Sequence, residues 1–181
     1  MTTQRIPFTE WLPDQPTTTN ALLTANNVYP LTIGYGPFPT SADYSTAASE
    51  NLNNVTAAKF ELSTVLFAGG ATKLFKFNPG TTGLDDVSKS GGYAGADRWS
   101  FVQFGNAVLA SNNHAKIQAW YVGTSTLFAD VAASAPIAKY ITVVRDFVVA
   151  ANISGTPNKL QWSDINDETD WTSGEIGRAH V

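Results

Sequence analysis

The residues able to do chemistry in this chain are few: two histidines, fifteen aspartates and glutamates, and no cysteine. Without a thiol there is no disulfide, thiolate ligand or cysteine nucleophile. Histidine-based metal or triad chemistry therefore rests on His114 and His180. His114 lies in the polar run Ser111-Asn112-Asn113-His114-Ala115-Lys116, between two strand-like segments, where a solvated loop histidine is expected. The densest acidic cluster is Asp164, Asp167, Glu168 and Asp170, in Ser163 to Trp171. Taken as a calcium loop it puts Asp164 first and Asn166 third, but Thr169 stands where the sharp turn demands glycine. The expectation is a turn whose Asp and Asn side chains bond nearby backbone amides. A glycosidase needs two carboxylates at a set separation across a sugar, which one loop does not provide. Gly34-Tyr35-Gly36 is followed by Pro37 and Pro39, where a dinucleotide fold needs a third glycine and a helix start. No catalytic, metal or cofactor residue is assigned, and no enzyme is expected.

The elements around these residues repeat. Trp99 to Asn112 falls on Lys139 to Asn152 at an offset of 40, with apolar matches Phe101/Ile141, Phe104/Val144, Val108/Val148, Leu109/Val149 and Ala110/Ala150. Gly105-Asn106 and Arg145-Asp146 occupy one place in both copies, so each reads as two short strands joined by a two-residue turn. A third strand follows in each, Lys116 to Val122 and Lys159 to Ser163, offset by 43. A weaker upstream copy holds Val65 to Gly69 and Lys73 to Phe77. A fourth strand is expected at Leu84 to Val87, at Leu127 to Val131, and near Trp171.

These runs are short, rich in Val, Ile, Phe and Tyr, and bounded by turn residues, which excludes helical repeats. Four antiparallel strands per 40 to 43 residues is the period of a β-propeller blade. The expected fold is all-β, a partial β-propeller of about 2.75 blades, with a β-sandwich as the alternative. Residues 57–174 would form the incomplete blades and residues 1–56 an arm with its connection. Such a count is short of the four to eight blades that close a propeller, so the chain reads as a fragment of a longer protein. Trp99, Trp120 and Trp162 alternate with smaller residues on expected strands, and read as fillers between blades rather than as sugar-stacking platforms.

The N-terminal stretch holds most of the prolines, and each biases the residue before it toward extended geometry. Its apolar anchors are too many for a solvated linker. Phe8, Trp11, Leu12, Tyr35 and Phe38 are the candidate subunit-docking residues, Trp11 foremost because prolines flank it. A net charge of −4 without a basic cluster argues against a tight grip on nucleic-acid phosphates. No apolar run approaches the length of a membrane span and no signal-peptide core opens the chain.

The P-F-x-E-W-L-P-D-Q-P arm, Asn26-Asn27-Val28-Tyr29-Pro30, Gly34 to Pro39 and the Trp162 to Trp171 segment together resemble tailed-bacteriophage virion proteins of the tail hub or nozzle type. The last segment also loosely resembles the Asp-box turn of other propellers, without its glycine. The family resemblance implies a structural ring of subunits carrying propeller domains, attached near the portal and adaptor, in the virion tail. DNA would be only a transient, non-specific passenger, and no cofactor is implied. The alternative function is a ligand-binding propeller recognising host-surface carbohydrate, which needs exposed aromatics. Ile176 to Val181 can be encoded by ATC-GGA-AGA-GCA-CAC-GTC, which looks like a sequencing adapter read as coding DNA, so residues 175–181 are expected to be non-native.

Overall fold

The computed structural model describes residues 12, 24, 26–32, 35–40 and 42–172. The chain divides into two compact units, Met1–Asp43 and Tyr44–Val181. In the first, β1 (Val28–Pro30) pairs antiparallel with β2 (Tyr35–Pro37), Tyr29 facing Gly36. The Phe38 N–H donates to the Asn27 carbonyl at 2.9 Å and closes the pair. Gly36 lets the Tyr29 ring lie on the backbone, since a Cβ there would stand 3.2 Å from Tyr29 Cζ. The extended arm is thus, over its described part, a small hairpin.

The second unit is all-β, and no helix occurs among the described residues. Three antiparallel sheets follow one another along the chain. The first holds β3 (Leu52–Lys59), β4 (Thr64–Gly70), β5 (Leu74–Asn78) and β6 (Gly83–Asp86). The second holds β7 (Ser100–Phe104), β8 (Ala107–Ser111), β9 (Gln118–Tyr121) and β10 (Ala129–Asp130). The third holds β11 (Ala138–Val144), β12 (Phe147–Ile153) and β13 (Thr156–Trp162). Every strand pairs with its sequence neighbour, and no sheet closes on itself.

Three expectations are corrected. Strand structure begins at Leu52 rather than at residue 57, because Asn53 and Asn54 tie this segment down: Asn53 Nδ2 donates to the Ala96 carbonyl at 3.0 Å and Asn54 Nδ2 to the Trp99 carbonyl at 2.6 Å. β10 is only two residues long, and just before it the Phe128 N–H donates at 2.7 Å to the carbonyl of Val87, the residue after the first sheet, rather than to its own ladder. No fourth strand forms near Trp171 among the described residues. There the chain turns on itself, the Asp164 N–H reaching the Asp170 carbonyl at 2.8 Å and Asn166 holding a positive φ of 54°.

The repeat is a repeat of register. Val55, Ala68, Phe75 and Asp86 form one cross-strand row of the first sheet. Phe101, Ala110, Gln118 and Asp130 form the same row of the second, and Ile141, Ala150 and Gln161 that of the third. The two-residue turns fall as expected, with positive φ at the first turn residue in both, 53° at Gly105 and 54° at Arg145. Between the first and second sheets lies a core of Phe67, Leu74, Trp99, Val108, Trp120 and Phe128, and between the second and third one of Leu109, Ile117, Ala119, Ile141, Val148 and Ala150. The first strands of consecutive sheets run side by side through side-chain bridges. Gln103 Nε2 donates to the Lys59 carbonyl at 2.8 Å while the Lys59 N–H donates to Gln103 Oε1 at 3.0 Å, and the Ile141 N–H donates to Ser100 Oγ at 3.2 Å.

Candidate functional site

Of the candidate docking residues, Phe8 and Trp11 lie outside the described residues. Leu12 is exposed, and Tyr35 is half-buried on β2. Phe38 is 62% exposed and packs in a T-shaped arrangement with the Tyr29 ring, with centroids 5.6 Å apart. Tyr29 and Phe38 thus form one aromatic pair beside the hairpin.

His114 is exposed, and its backbone N–H donates to Asn112 Oδ1 at 3.0 Å, as a loop residue would. His180 lies outside the described residues. The acidic turn is occupied locally. Asp164 Oδ1 accepts from the Ile165 N–H at 2.8 Å, Asp167 Oδ1 from the Thr169 N–H and hydroxyl at 2.8 and 2.6 Å, and Asp170 Oδ1 from the same groups of Thr172 at 2.8 and 2.7 Å. The Thr169 bonds hold the Asp167 carboxyl below its ordinary value. Among the described residues no group of three or more His, Asp or Glu side chains is placed to hold a metal.

Trp99 and Trp120 are buried fillers between the first and second sheets, while Trp162 is half-buried on the third. Trp99 depends on a close approach that the sequence did not reveal. A Cβ on Gly69 would sit 2.2 Å from Trp99 Cδ1, and Trp99 Nε1 donates to the Gly70 carbonyl at 2.8 Å. Glu50 packs against Gly70 and receives the Thr72 N–H, the Thr72 hydroxyl and the Lys73 N–H at 2.8 to 3.0 Å. The Gly69-Gly70 pair therefore seats an indole on one residue and a carboxylate staple on the other.

Buried polar groups also link sheets. Gln118, fully buried, accepts from the Tyr93 hydroxyl at 3.3 Å and donates to Asp130 Oδ1 at 2.6 Å and to the Lys116 carbonyl at 2.7 Å. Lys89, which follows the first sheet, pairs with Asp130 at 3.0 Å. Burial pushes the Asp130 carboxyl up, but the bonds from Gln118 and Lys89 outweigh it and leave its pKa lowered. Burial also pushes the Tyr93 phenol well above its usual range.

Between the sheets lie open clefts rather than closed pockets. One of about 450 Å³, lined by Asn54, Asp97, Arg98, Ser100, Lys139 and Tyr140, opens beside the first strands. Another of about 440 Å³, lined by Gln103, Tyr121, Arg145, Asn166 and Glu168, opens at the hairpin ends of the second and third sheets. Neither gathers a nucleophile, a base and an orienting group. What the unit does present are two apolar sheet faces at its ends. On the back of the first sheet are Tyr44, Leu52, Val55, Leu66, Phe77 and Leu84, Tyr44 stacking on Phe77 with centroids 5.0 Å apart. On the front of the third sheet the rows are Tyr140–Ala151–Leu160, Thr142–Val149–Trp162 and Val144–Phe147.

No protein-family model matches the chain, and no curated protein matches it. Among solved structures it is similar to the computationally designed Ika4 protein, at 16% identity and a TM-score of 0.45, over 78% of this chain and 80% of that one. It is similar also to the computationally designed Ika8 protein, at 13% identity and a TM-score of 0.48, over 81% of this chain but 42% of that one. At those scores neither likeness bears on what the chain does.

Proposed function

We propose that this chain is a structural, non-enzymatic component of a bacteriophage tail, of hub or nozzle type, in which the three sheets serve as consecutive blades of a β-propeller. The observation that carries the mechanical reading is the shared register of the three sheets with their first strands side by side, as blades stand around an axis. Support for the virion setting comes from the sequence resemblance of the arm and of the Trp162 to Trp171 segment. In this reading the sheets form a rigid outer body. The arm, with Phe8, Trp11, Leu12, Tyr35 and Phe38, straps the subunit to a neighbour or to an adaptor or portal-proximal protein.

The carbohydrate-binding alternative calls for exposed aromatic and carboxylate groups gathered at one mouth, whereas Trp99 and Trp120 are 1% and 4% exposed and Trp162 is half-buried. No observation favours it. The test is peptide mass spectrometry of density-purified virions from a phage whose genome encodes this sequence. Peptides of the chain at a copy number comparable with other tail proteins support the reading. Their absence from intact particles, with the protein abundant in infected cells, overturns it.

A further inference from the structure

Equivalent positions on the three sheets differ in exposure in a regular way. Lys73-Leu74-Phe75, Lys116-Ile117-Gln118 and Lys159-Leu160-Gln161 are one motif at a spacing of 43. Leu74 and Ile117 are each 0% exposed because the next sheet covers them, whereas Leu160, the third member, is 39% exposed. On the opposite face the order reverses. Ile141 of the third sheet is 7% exposed and Phe101 of the second is half-buried, each covered by the sheet before, while at the same row of the first sheet Ala68 and Phe75 are each 2% exposed and, of its apolar members, only Val55, at 59%, stands open. The front of the third sheet is therefore built to be covered as the second is, and the back of the first to be covered as the third is.

We infer that these two faces bind each other in different copies of the chain: the Tyr140, Val149, Leu160 and Trp162 face of one copy packs on the Val55, Leu66, Phe77 and Leu84 face of the next. The occupant is argued from continuity with the internal interfaces. Each end face carries the register positions that already form a sheet-on-sheet contact inside the chain. Apolar side chains dominate both: Tyr140 is 50% and Val144 52% exposed on one, Tyr44 73% and Val55 59% on the other. Exposed apolar patches of this kind mark interaction surfaces. The association is heterologous, front to back, so it leaves one free face on each end copy and generates a ring when the rotation closes.

The inference deepens the ring-forming reading above but stands on the sheet faces, and its test needs no virion. Sedimentation equilibrium of the 181-residue chain and of two variants, Val55→Glu and Leu160→Glu, decides it. Both sites are solvent-exposed within one copy, so far-ultraviolet circular dichroism of both variants should match the parent. The parent should show species above monomer whose share rises with concentration. Each variant alone should lose at least about tenfold in association constant, since either change buries a charge in the contact. An equimolar mixture of the two, each keeping one intact face, should form a one-to-one dimer and nothing larger. A parent that stays monomeric overturns the inference, as does an association that only one of the two variants impairs, or that the mixture fails to restore. None of these results touches the virion reading, which particle composition tests by itself.

Discussion

Trp99 is held by an absence. The indole occupies the space a side chain at residue 69 would fill, so Gly69→Ala forces the ring off its bed and breaks its bond to the Gly70 carbonyl. The expected cost is about 3 kcal/mol, the upper end for overpacking a core. A lowered urea midpoint with red-shifted tryptophan emission is the measurement. Gly105 differs: a Cβ there meets nothing within 4 Å, and only its positive φ of 53° resists substitution. Gly105→Ala should therefore cost about 1 kcal/mol from backbone strain alone, with emission unchanged. The pair separates crowding from conformation within one protein.

At the scale of the element, the cross-sheet tie is Lys89, Asp130, Gln118 and Tyr93. Asp130→Asn removes a partly exposed ion pair and weakens the bond to a buried amide, while Gln118 keeps its bond to the Lys116 carbonyl. The loss should be about 0.5–1 kcal/mol, in the range of screened surface pairs, and should shrink in high salt. A urea series at low and at high ionic strength checks it. The same elements show what the sequence made legible. The second and third sheets could be read because β8 and β12 are dense in Val, Leu and Ala and their turns align. β3 could not, because Leu52-Asn53-Asn54-Val55-Thr56-Ala57-Ala58-Lys59 has little intrinsic strand preference. It is a strand because it pairs with β4 from Leu52 to Lys59, and asparagine amides tie its start to distant carbonyls, which no local pattern announces. The expected fourth strand near Trp171 failed for the converse reason. Its acidic residues spend their bonding on a local turn, and Trp171 Nε1 donates to the Glu168 carbonyl at 2.7 Å within that turn. The self-bonding of that turn was legible, because Asp and Asn side chains in a short polar loop find nearby backbone amides. Gly69 and Glu50 gave no signal, since their partners are fixed only once the sheets are stacked.

For the whole molecule, the charge balance sets a pH window. Burial pushes Asp86 up, but bonds from Ser88 and Lys73 prevail and its pKa is lowered, as are those of Asp130 and Asp167. A carboxyl depressed in the fold adds stability above its unfolded value of about 3.9 and loses it as pH falls through the folded value. Tyr93 and Tyr121 run the other way: burial raises both phenols, and the Glu168 carboxylate raises Tyr121 further. A raised pKa contributes stability below the unfolded value of about 10, lost as pH climbs beyond it. Unfolding free energy should be level from about pH 5 to 9 and fall on both sides, as urea titrations at pH 3, 7 and 11 should show.

The matched faces have a consequence for how such a chain can change in length. Because every sheet offers its successor a front of the same register and its predecessor a back of the same register, each contact is local to one pair of neighbours. Duplicating or deleting one unit of some forty residues keeps the register of each face, while the side chains that fill the junctions differ, Trp99, Trp120 and Phe128 in one and Leu109, Ile117 and Ile141 in the other. Whole units are therefore the steps in which such a chain keeps face matched to face in register.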